Sequence, residues 1–380
     1  MLPLQSERSG QSLQAGLDKL EDVLSEGFNG FLALGCFFGG AVDLHLANFR
    51  NLCNCITLYM KGLLRERLLS IMSKTRKRRH ASEACASFES LFRRALQCLP
   101  NEDVQTQRRF RFRDDSLACV VGRLMIRQAA RTVHALPWHM IEIGRLDRGK
   151  PYLANPNVCL NFNVSHQGDL VVLASSENEK IGVDVMRSDD SRGSSALEHI
   201  ERMSGLFTEG ELRMMRSAGS EQEKWRDFYR IWCLKESVLK ATGTGLVNDL
   251  RTLDFHTTDE KHYPGCFITS TTWSENGVRQ NNWLFEESFV NENHCVAVAR
   301  ILPEGEDVVS KREQTQKEKN FFSFVSLEHL LYGSSVVNPI EDGAASEFAE
   351  YSRKSKKTWY VEDNLNILRA TKKASLNVTT

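Results

Sequence analysis

The chain reads as an α+β protein built from two halves of similar size. Two observations carry that reading. Helical and strand-like runs follow one another in the order helix, strands, helix, strands. The composition, 41% apolar and 26% charged over 380 residues, is that of a globular protein long enough for two ordinary domains. A seam between two such halves is where a small-molecule site is expected.

The elements follow in order. Residues 1–84 form an amino-terminal extension, with helical spacing in Leu13, Leu17, Leu20, Val23 and Leu24 and again in Leu58, Leu63, Leu64, Leu68 and Leu69. It ends in the basic run Lys74 to His80, which is ordinarily a solvated linker and alternatively a nuclear-import or anionic-surface patch. The first half, 85–182, predicts a helix from Phe88 to Leu99 stopped at Pro100, and a longer one from about Asp115 to Val133. Strands are expected at Met140 to Ile143, Cys159 to His166, Leu170 to Ser175 and Lys180 to Met186, the middle two joined as a hairpin by Gln167-Gly168-Asp169. In the second half, 183–303, an irregular stretch from Ser188 to Ser195 precedes helices at Gly210 to Arg216 and Gln222 to Thr242. Strands recur at Leu250 to His256, Pro264 to Thr271, Trp283 to Phe289 and His294 to Ile301. Residues 304–380 read as a charged carboxy-terminal appendage with one short docking element, Phe321 to Leu331.

Composition narrows the function classes. Lys plus Arg equals Asp plus Glu at 49 each, so no global field recommends nucleic acid or an anionic membrane as partner. The ten cysteines are scattered, and the close pair Cys53 and Cys55 has no second pair at a zinc-site distance. They read as reduced thiols of a cytosolic protein. The most apolar stretch, Phe28 to Val42, is interrupted by Asn29 and three glycines and is too short to span a bilayer. Glu7, Asp18, Glu21, Asp22 and Glu26 ahead of it argue against a secretory signal.

Two elements carry chemistry. In Ile181-Gly182-Val183-Asp184-Val185-Met186, strand alternation puts Asp184 on one face with Gly182 and Met186. A carboxylate among apolar neighbours needs donors or a cation, so Asp184 is either a hydrogen-bonded structural group or a metal ligand or catalytic group. In Trp232-Cys233-Leu234-Lys235-Glu236-Ser237-Val238-Leu239-Lys240-Ala241, residues 232, 236 and 240 share one stripe, and Ile231, Leu234, Val238 and Ala241 form the apolar face. The plain reading of Glu236 and Lys240 is an exposed i,i+4 salt bridge worth a few tenths of a kcal/mol.

Together the two elements resemble the paired motif of the Sfp-type phosphopantetheinyl transferases, with the local fit closest to the animal cytosolic type. Further matching stretches are Gly122-Arg123-Leu124-Met125-Ile126-Arg127, Gly149-Lys150-Pro151, Asn161-Phe162-Asn163-Val164-Ser165-His166-Gln167-Gly168-Asp169 and Trp283-Leu284-Phe285-Glu286-Glu287-Ser288. The resemblance runs from about Phe88 to Leu302, with an echo near Phe321 to Leu330, and leaves the first 84 residues outside it.

The resemblance implies a pseudo-twofold pair of α/β subdomains with coenzyme A in the cleft between them, and transfer of its 4'-phosphopantetheine to a serine of apo carrier proteins. This is holo-acyl-carrier-protein synthase chemistry. It implies Asp184 and Glu236 as magnesium ligands, since hard carboxylate oxygens suit a small divalent cation. Glu236 is implied as the base for the carrier serine, directly or through a metal-bound water. Lys240 is implied as the group that stabilises or protonates the departing adenosine 3',5'-bisphosphate. Arg145, Arg148 and Lys150 are implied around the coenzyme's phosphates, with His166 beside Ser165, and Gln167 and Gly168 following. Adjacent strand residues face opposite ways, so Ser165 and His166 do not read as a hydrolase dyad. The family's third acidic position is Met186 here, with water expected in its place. A family coenzyme contact ahead of Phe110-Arg111-Phe112 falls on Thr106, with Arg108 and Arg109 as alternatives. The implied partners are the carrier domains of fatty-acid synthase and of an aminoadipate-reductase-like protein, and the enzyme is expected to be monomeric. Two other readings compete with this one: a coenzyme A-binding scaffold without turnover, and nucleic-acid binding through Lys74 to His80.

Overall fold

The computed structural model describes residues 56–60, 87–147, 149–245, 249–258, 267–317 and 322–357. The Cys53–Cys55 pair, the apolar stretch Phe28 to Val42 and the basic run Lys74 to His80 lie outside them. No helix among the described residues is long and apolar enough to cross a membrane.

Strand β1 (Ile56–Met60) is followed by helices α1 (87–97), α2 (Asn101–Arg108) and α3 (Arg113–His134). A 3₁₀ turn at Trp138–Met140 leads to the short strands β2 (Ile143–Arg145) and β3 (Pro151–Leu153), then β4 (Asn161–Gln167), β5 (Leu170–Ser176) and β6 (Lys180–Arg187). Helices α4 (Ala196–Met203), α5 (Glu209–Ser217) and α6 (Glu221–Thr242) come next. Strands β7 (Leu253–His256), β8 (Phe267–Ile268), β9 (Thr272–Glu275), β10 (Val278–Arg279), β11 (Trp283–Asn291) and β12 (His294–Ile301) precede the tail: α7 (Val308–Lys317), β13 (Phe322–Phe324), α8 (Leu327–Leu331) and α9 (Ala345–Arg353).

Each half carries a four-stranded sheet, in the orders β13-β1-β5-β4 and β6-β12-β11-β8. The long helices α3 and α6 belong one to each half. Phe92, Leu96, Leu124 and Trp138 anchor the first core, and Trp225, Phe228, Leu234, Trp273 and Phe285 the second. A third apolar cluster, with Leu170 and Val172 from β5, Val183 and Val185 from β6 and Val296 and Val298 from β12, bridges the two. The expected division between Gly182 and Val183 falls inside β6, which pairs with β12 along its whole length from Lys180.

At the seam β4 lies along β6, and polar side chains take the place of ladder bonds. The amide of Val183 donates to Asn163 Oδ1 at 3.1 Å and that of Arg187 to Gln167 Oε1 at 2.5 Å. Between them Ser165 Oγ donates to Asp184 Oδ1 at 2.7 Å. Strand alternation puts Asn163, Ser165 and Gln167 on this face while Phe162 and Val164 pack on the first core. The expected hairpin is present, with Gln167 opposite Leu170 and Gly168 at φ +56° in the turn.

The structure departs from the sequence reading in several places. Leu58, expected in a helix of the amino-terminal extension, lies in strand β1, which pairs with β5 as part of the first sheet. Pro137 opens a 3₁₀ turn at Trp138, so the strand expected from Met140 begins only at Ile143. Of the strand expected from Pro264 to Thr271, Phe267–Ile268 is paired with β11, and residues 259–266 lie outside the description. Helix α4 follows the irregular stretch; it has eight residues, and its start signal is the capping box of Ser195 and Glu198. The tail docks more widely than Phe321 to Leu331, because Leu327, Leu330, Ala344 and Tyr351 are part of the first core. The Phe92 and Tyr351 rings pack tilted at 31° with centroids 4.5 Å apart, and Arg93 Nε donates to the carbonyl of Gly343 at 2.5 Å.

Gly182 sets how closely α6 lies on β6. A Cβ there would stand 2.1 Å from the carbonyl oxygen of Ser237 and 2.3 Å from the amide nitrogen of Ala241. Backbone cannot step aside as a side chain can. Gly182→Ala should therefore cost about 3 kcal/mol or more in urea unfolding. The control Gly205→Ala, at a position where nothing lies within 4 Å, should stay within about 0.5 kcal/mol.

Candidate active site

The residue types of α6 fix which side chains meet the seam. A capping box from Ser220 and Glu223 starts it, and Gly243 at φ +71° ends it. From Ile231 to Ala241 every side chain is buried except Trp232, Glu236 and Lys240, which are half-buried along one stripe. That is the stripe expected from 3.6-residue periodicity. Across from it, β6 turns Gly182, Asp184 and Met186 toward α6 and Ile181, Val183 and Val185 into the bridging apolar cluster.

Asp184, Lys240 and Ser165 form a closed triangle. Lys240 Nζ lies 2.6 Å from Asp184 Oδ1 and 2.8 Å from Ser165 Oγ, and Ser165 Oγ lies 2.7 Å from the same Oδ1. Three elements thus converge on one oxygen: β4, β6 and α6. Lys240 does not spend its charge on Glu236, which has no ion-pair partner among the described residues. The exposed i,i+4 salt bridge is not formed.

The other oxygen, Asp184 Oδ2, is buried and has no hydrogen-bond partner among the described residues. Glu236 stands near enough to feel it: burial raises the Glu236 pKa above the usual carboxylate range, the negative charge of Asp184 raises it further, and Lys240 opposes both. A buried oxygen without a donor beside a half-buried second carboxylate is an unfavourable arrangement unless a cation is shared between them. Asp184 and Glu236 are therefore the residues fitted to hold one. Among the described residues no group of three or more His, Cys, Asp or Glu side chains could hold a metal. Two carboxylates suit a small hard cation that keeps several of its waters, as magnesium does. Met186 packs in the second core and offers no oxygen there.

The basic residues expected around the phosphates fall in two places. Arg145 and Lys150 flank the β2–β3 hairpin; Arg145 is exposed and its Nη1 donates to the carbonyl of Gly149 at 3.1 Å. Lys150 reaches α6, donating to the carbonyls of Lys240 at 2.6 Å and Ala241 at 3.0 Å. It thus satisfies carbonyls that the helix leaves open at its C-terminus. Burial, and secondarily the charge of Lys180, lower its pKa. Arg148 lies outside the described residues. His166 is exposed while Ser165 is buried, as strand alternation requires. Thr106 donates to the carbonyl of Glu102, and Arg108 is engaged by Glu347 from α9.

Two contributors were not recognised as such in the sequence. Asn163 holds the β6 amide next to Asp184, and its signal is the polar alternation Asn163, Ser165, Gln167 in an otherwise apolar strand. Lys235 is completely buried, pairs with Glu211 at 2.9 Å and donates to the carbonyls of Leu250 and Leu253. It ties α6 to α5 and β7; nothing in its spacing distinguishes it from a surface lysine.

The chain matches the family described as 4'-phosphopantetheinyl transferase, N-terminal, over residues 86–178. It matches the 4'-phosphopantetheinyl transferase superfamily over residues 180–299. It is 33% identical to the L-aminoadipate-semialdehyde dehydrogenase-phosphopantetheinyl transferase of Mus musculus over 251 residues, 64% of this chain and 81% of that one. The protein of the same name from Homo sapiens is 35% identical over 234 residues, 60% of this chain and 76% of that one. The 4'-phosphopantetheinyl transferase of Bacillus subtilis is 28% identical over 170 residues, 44% of this chain and 71% of that one.

Removing the cation from the triangle should expose the cost of the buried carboxylate. Lys240→Met should destabilise the protein by about 2 kcal/mol in chelator-containing buffer, less than for a fully buried pair because Lys240 remains partly solvated. In an Asp184→Asn background the same change should cost well under half as much, since no charge is then left unpaired. Urea unfolding of the four proteins reads the cycle. Equal costs in the two backgrounds would show that Lys240 does not serve Asp184.

Proposed function

The chain belongs to the 4'-phosphopantetheinyl transferase superfamily, and from that membership we propose how its seam carries out the reaction. The protein transfers 4'-phosphopantetheine from coenzyme A to a serine of an apo carrier protein. The serine oxygen forms a bond to phosphorus as the pyrophosphate P–O bond breaks, and adenosine 3',5'-bisphosphate leaves. The observation that carries the assignment of roles is the asymmetry of Asp184: one oxygen is held by Lys240 and Ser165, the other is buried without a donor.

Asp184 and Glu236 would hold magnesium. When bound, the ion would neutralise charge on the pyrophosphate oxygens. Glu236, half-buried on the α6 stripe beside Asp184, would take the proton of the carrier serine. Lys240 sets its positive charge one helical turn further on, where the bisphosphate departs. Arg145, Arg148, Lys150, Ser165, His166, Gln167 and Gly168 bind the coenzyme, with Arg145, Lys150 and His166 directed to its 3'-phosphate. Two of the three N–H groups of Lys150 are given to the helix carbonyls, which leaves one for a phosphate. All of Asp184, Glu236 and Lys240 are present and converge, which supports turnover over a coenzyme-binding scaffold. The proposed carriers are the domains of fatty-acid synthase and of an aminoadipate-reductase-like protein, so the activity includes holo-acyl-carrier-protein synthase. The proposed setting is a cytosolic monomer, with 85–182 and 183–303 as the two transferase halves.

Mass spectrometry of an apo carrier incubated with coenzyme A and magnesium should show the gain of one phosphopantetheine. Asp184→Ala and Glu236→Gln should each reduce turnover at least about a hundredfold, near 2.7 kcal/mol of barrier. Millimolar magnesium should raise the melting temperature of the wild type and leave that of Glu236→Gln nearly unchanged, because binding to the folded state alone is stabilising. Turnover of either variant near the wild-type level would remove the metal assignment.

A second measurement isolates the 3'-phosphate. Lys150→Ala should weaken coenzyme A binding about tenfold, 1.4 kcal/mol per decade, and should barely affect dephospho-coenzyme A. Four dissociation constants form the cycle. Additive losses would reduce Lys150 to a helix cap.

A further inference from the structure

The turn between β4 and β5 is held from the other half of the molecule. At Gly168, φ is +56°, and a Cβ would stand 2.1 Å from His294 Nε2 and 3.2 Å from Arg187 Cδ. The imidazole therefore occupies the space a side chain would take. The next amide, of Asp169, donates to His294 Nε2 at 3.3 Å. On its far side His294 Nδ1 lies 3.0 Å from Asn291 Oδ1, which also accepts from the amide of Asn293 at 2.9 Å.

These contacts fix the tautomer. An amide N–H reaches Asn291 Oδ1, so that atom is the carbonyl oxygen, and Nδ1 must carry the hydrogen it donates there. Nε2 is then the nitrogen with a lone pair, as the amide of Asp169 requires. The ring is 1% exposed, so water does not compete for either nitrogen. Arg187 adds two further ties: its amide donates to Gln167 Oε1 at 2.5 Å, and its Nη1 lies 3.6 Å from Asp169 Oδ2. The β4–β5 turn is thus fastened at Gln167, Gly168 and Asp169 by the ends of β6 and β12.

We propose that His294 is a positioning residue for coenzyme A. As the neutral Nδ1–H imidazole it fixes the Gly168–Asp169 backbone, and with it the adjacent His166, Gln167 and Gly168 that contact the coenzyme. This rests on the coenzyme assignment made above. His294 touches no reacting atom; it makes the second half set the shape of the first half's coenzyme turn. Its loss should appear in coenzyme binding and leave the chemical step and carrier recognition alone.

The test compares His294→Phe, His294→Gln and Asn291→Ala in the full chain, with KM for coenzyme A, KM for the carrier and kcat measured at saturating magnesium. Phe fills the space but accepts no hydrogen bond; the Gln carbonyl can stand where Nε2 stands. His294→Phe should raise KM for coenzyme A about three- to tenfold, the loss of one buried neutral hydrogen bond. Its kcat and carrier KM should stay within about twofold of wild type, since the hydrogen bond lost acts on coenzyme binding alone. His294→Gln should recover most of the loss, and Asn291→Ala, which releases the tautomer, should shift KM for coenzyme A in the same direction by a smaller factor. An unchanged coenzyme KM in His294→Phe, equal changes in all three constants, or no recovery with Gln would overturn the proposal. If His294→Phe does not fold, an unchanged coenzyme KM in Asn291→Ala overturns it instead. Wild-type transfer is measured first: without it the transferase reading itself fails, and calorimetric coenzyme A binding to the same variants then reads the role of His294.

Discussion

The whole site depends on one close approach of backbone to backbone. Helix α6 lies so near β6 at Gly182 that no side chain fits between them. That contact fixes the height of the helix over the sheet and, through helical periodicity, the places of Glu236 and Lys240 relative to Asp184 two residues along the strand. The same packing puts Leu234 and Val238 in the second core and leaves only the stripe of Trp232, Glu236 and Lys240 half open. The glycine and the aspartate in Gly182-Val183-Asp184 are therefore one device: the first lets the helix in, and the second meets what it brings.

The seam beside this contact is built from two kinds of interaction with different purposes. Val172, Val183 and Val298 bury apolar area between the halves and hold them together. Asn163, Ser165 and Gln167 contribute direction: each pairs with a fixed atom of β6, so a slip of one residue would turn all three away from their partners. Register across the seam is thereby locked where Asp184 must face Lys240. The buried arginine clusters lie away from this contact: Arg300 joins Glu179, just ahead of β6, to Glu286 of β11, and Arg230 of α6 holds Glu287 of β11.

Much of this was legible in the sequence, and the reasons differ by element. The long helix α6 and the strands β4, β5, β6 and β12 declared themselves because their periodic or apolar runs last at least seven residues. Helix α4 has too few residues to show a period, although its capping box was present. The β9–β10 hairpin is shorter still, with strands of 4 and 2 residues, and its Asn276-Gly277 turn, with both residues at positive φ, was the readable sign. In the site, residue identity located Asp184, Glu236 and Lys240, but not the pairing among them. A helix stripe suggests Glu236 with Lys240; only the tertiary approach at Gly182 hands Lys240 to Asp184. Lys150 shows the same limit, since its reach to the end of α6 depends on a hairpin and a helix distant in sequence.

That pairing has an electrostatic consequence for how the site is poised. Asp184 is 5% exposed, and a carboxylate so buried is tolerable because Lys240 and Ser165 both converge on one of its oxygens. Satisfying that oxygen leaves the other without a donor among the described residues, where the second carboxylate placed nearby has no ion-pair partner either and has a raised proton affinity. Stability alone would favour a neutral residue at position 236. The fold instead places two carboxylates where a strand and a helix meet at the seam, beside the close contact at Gly182. On the proposed reading, a cation shared by Asp184 and Glu236 would offset that charge. The cost in stability is offset by the three apolar clusters around it.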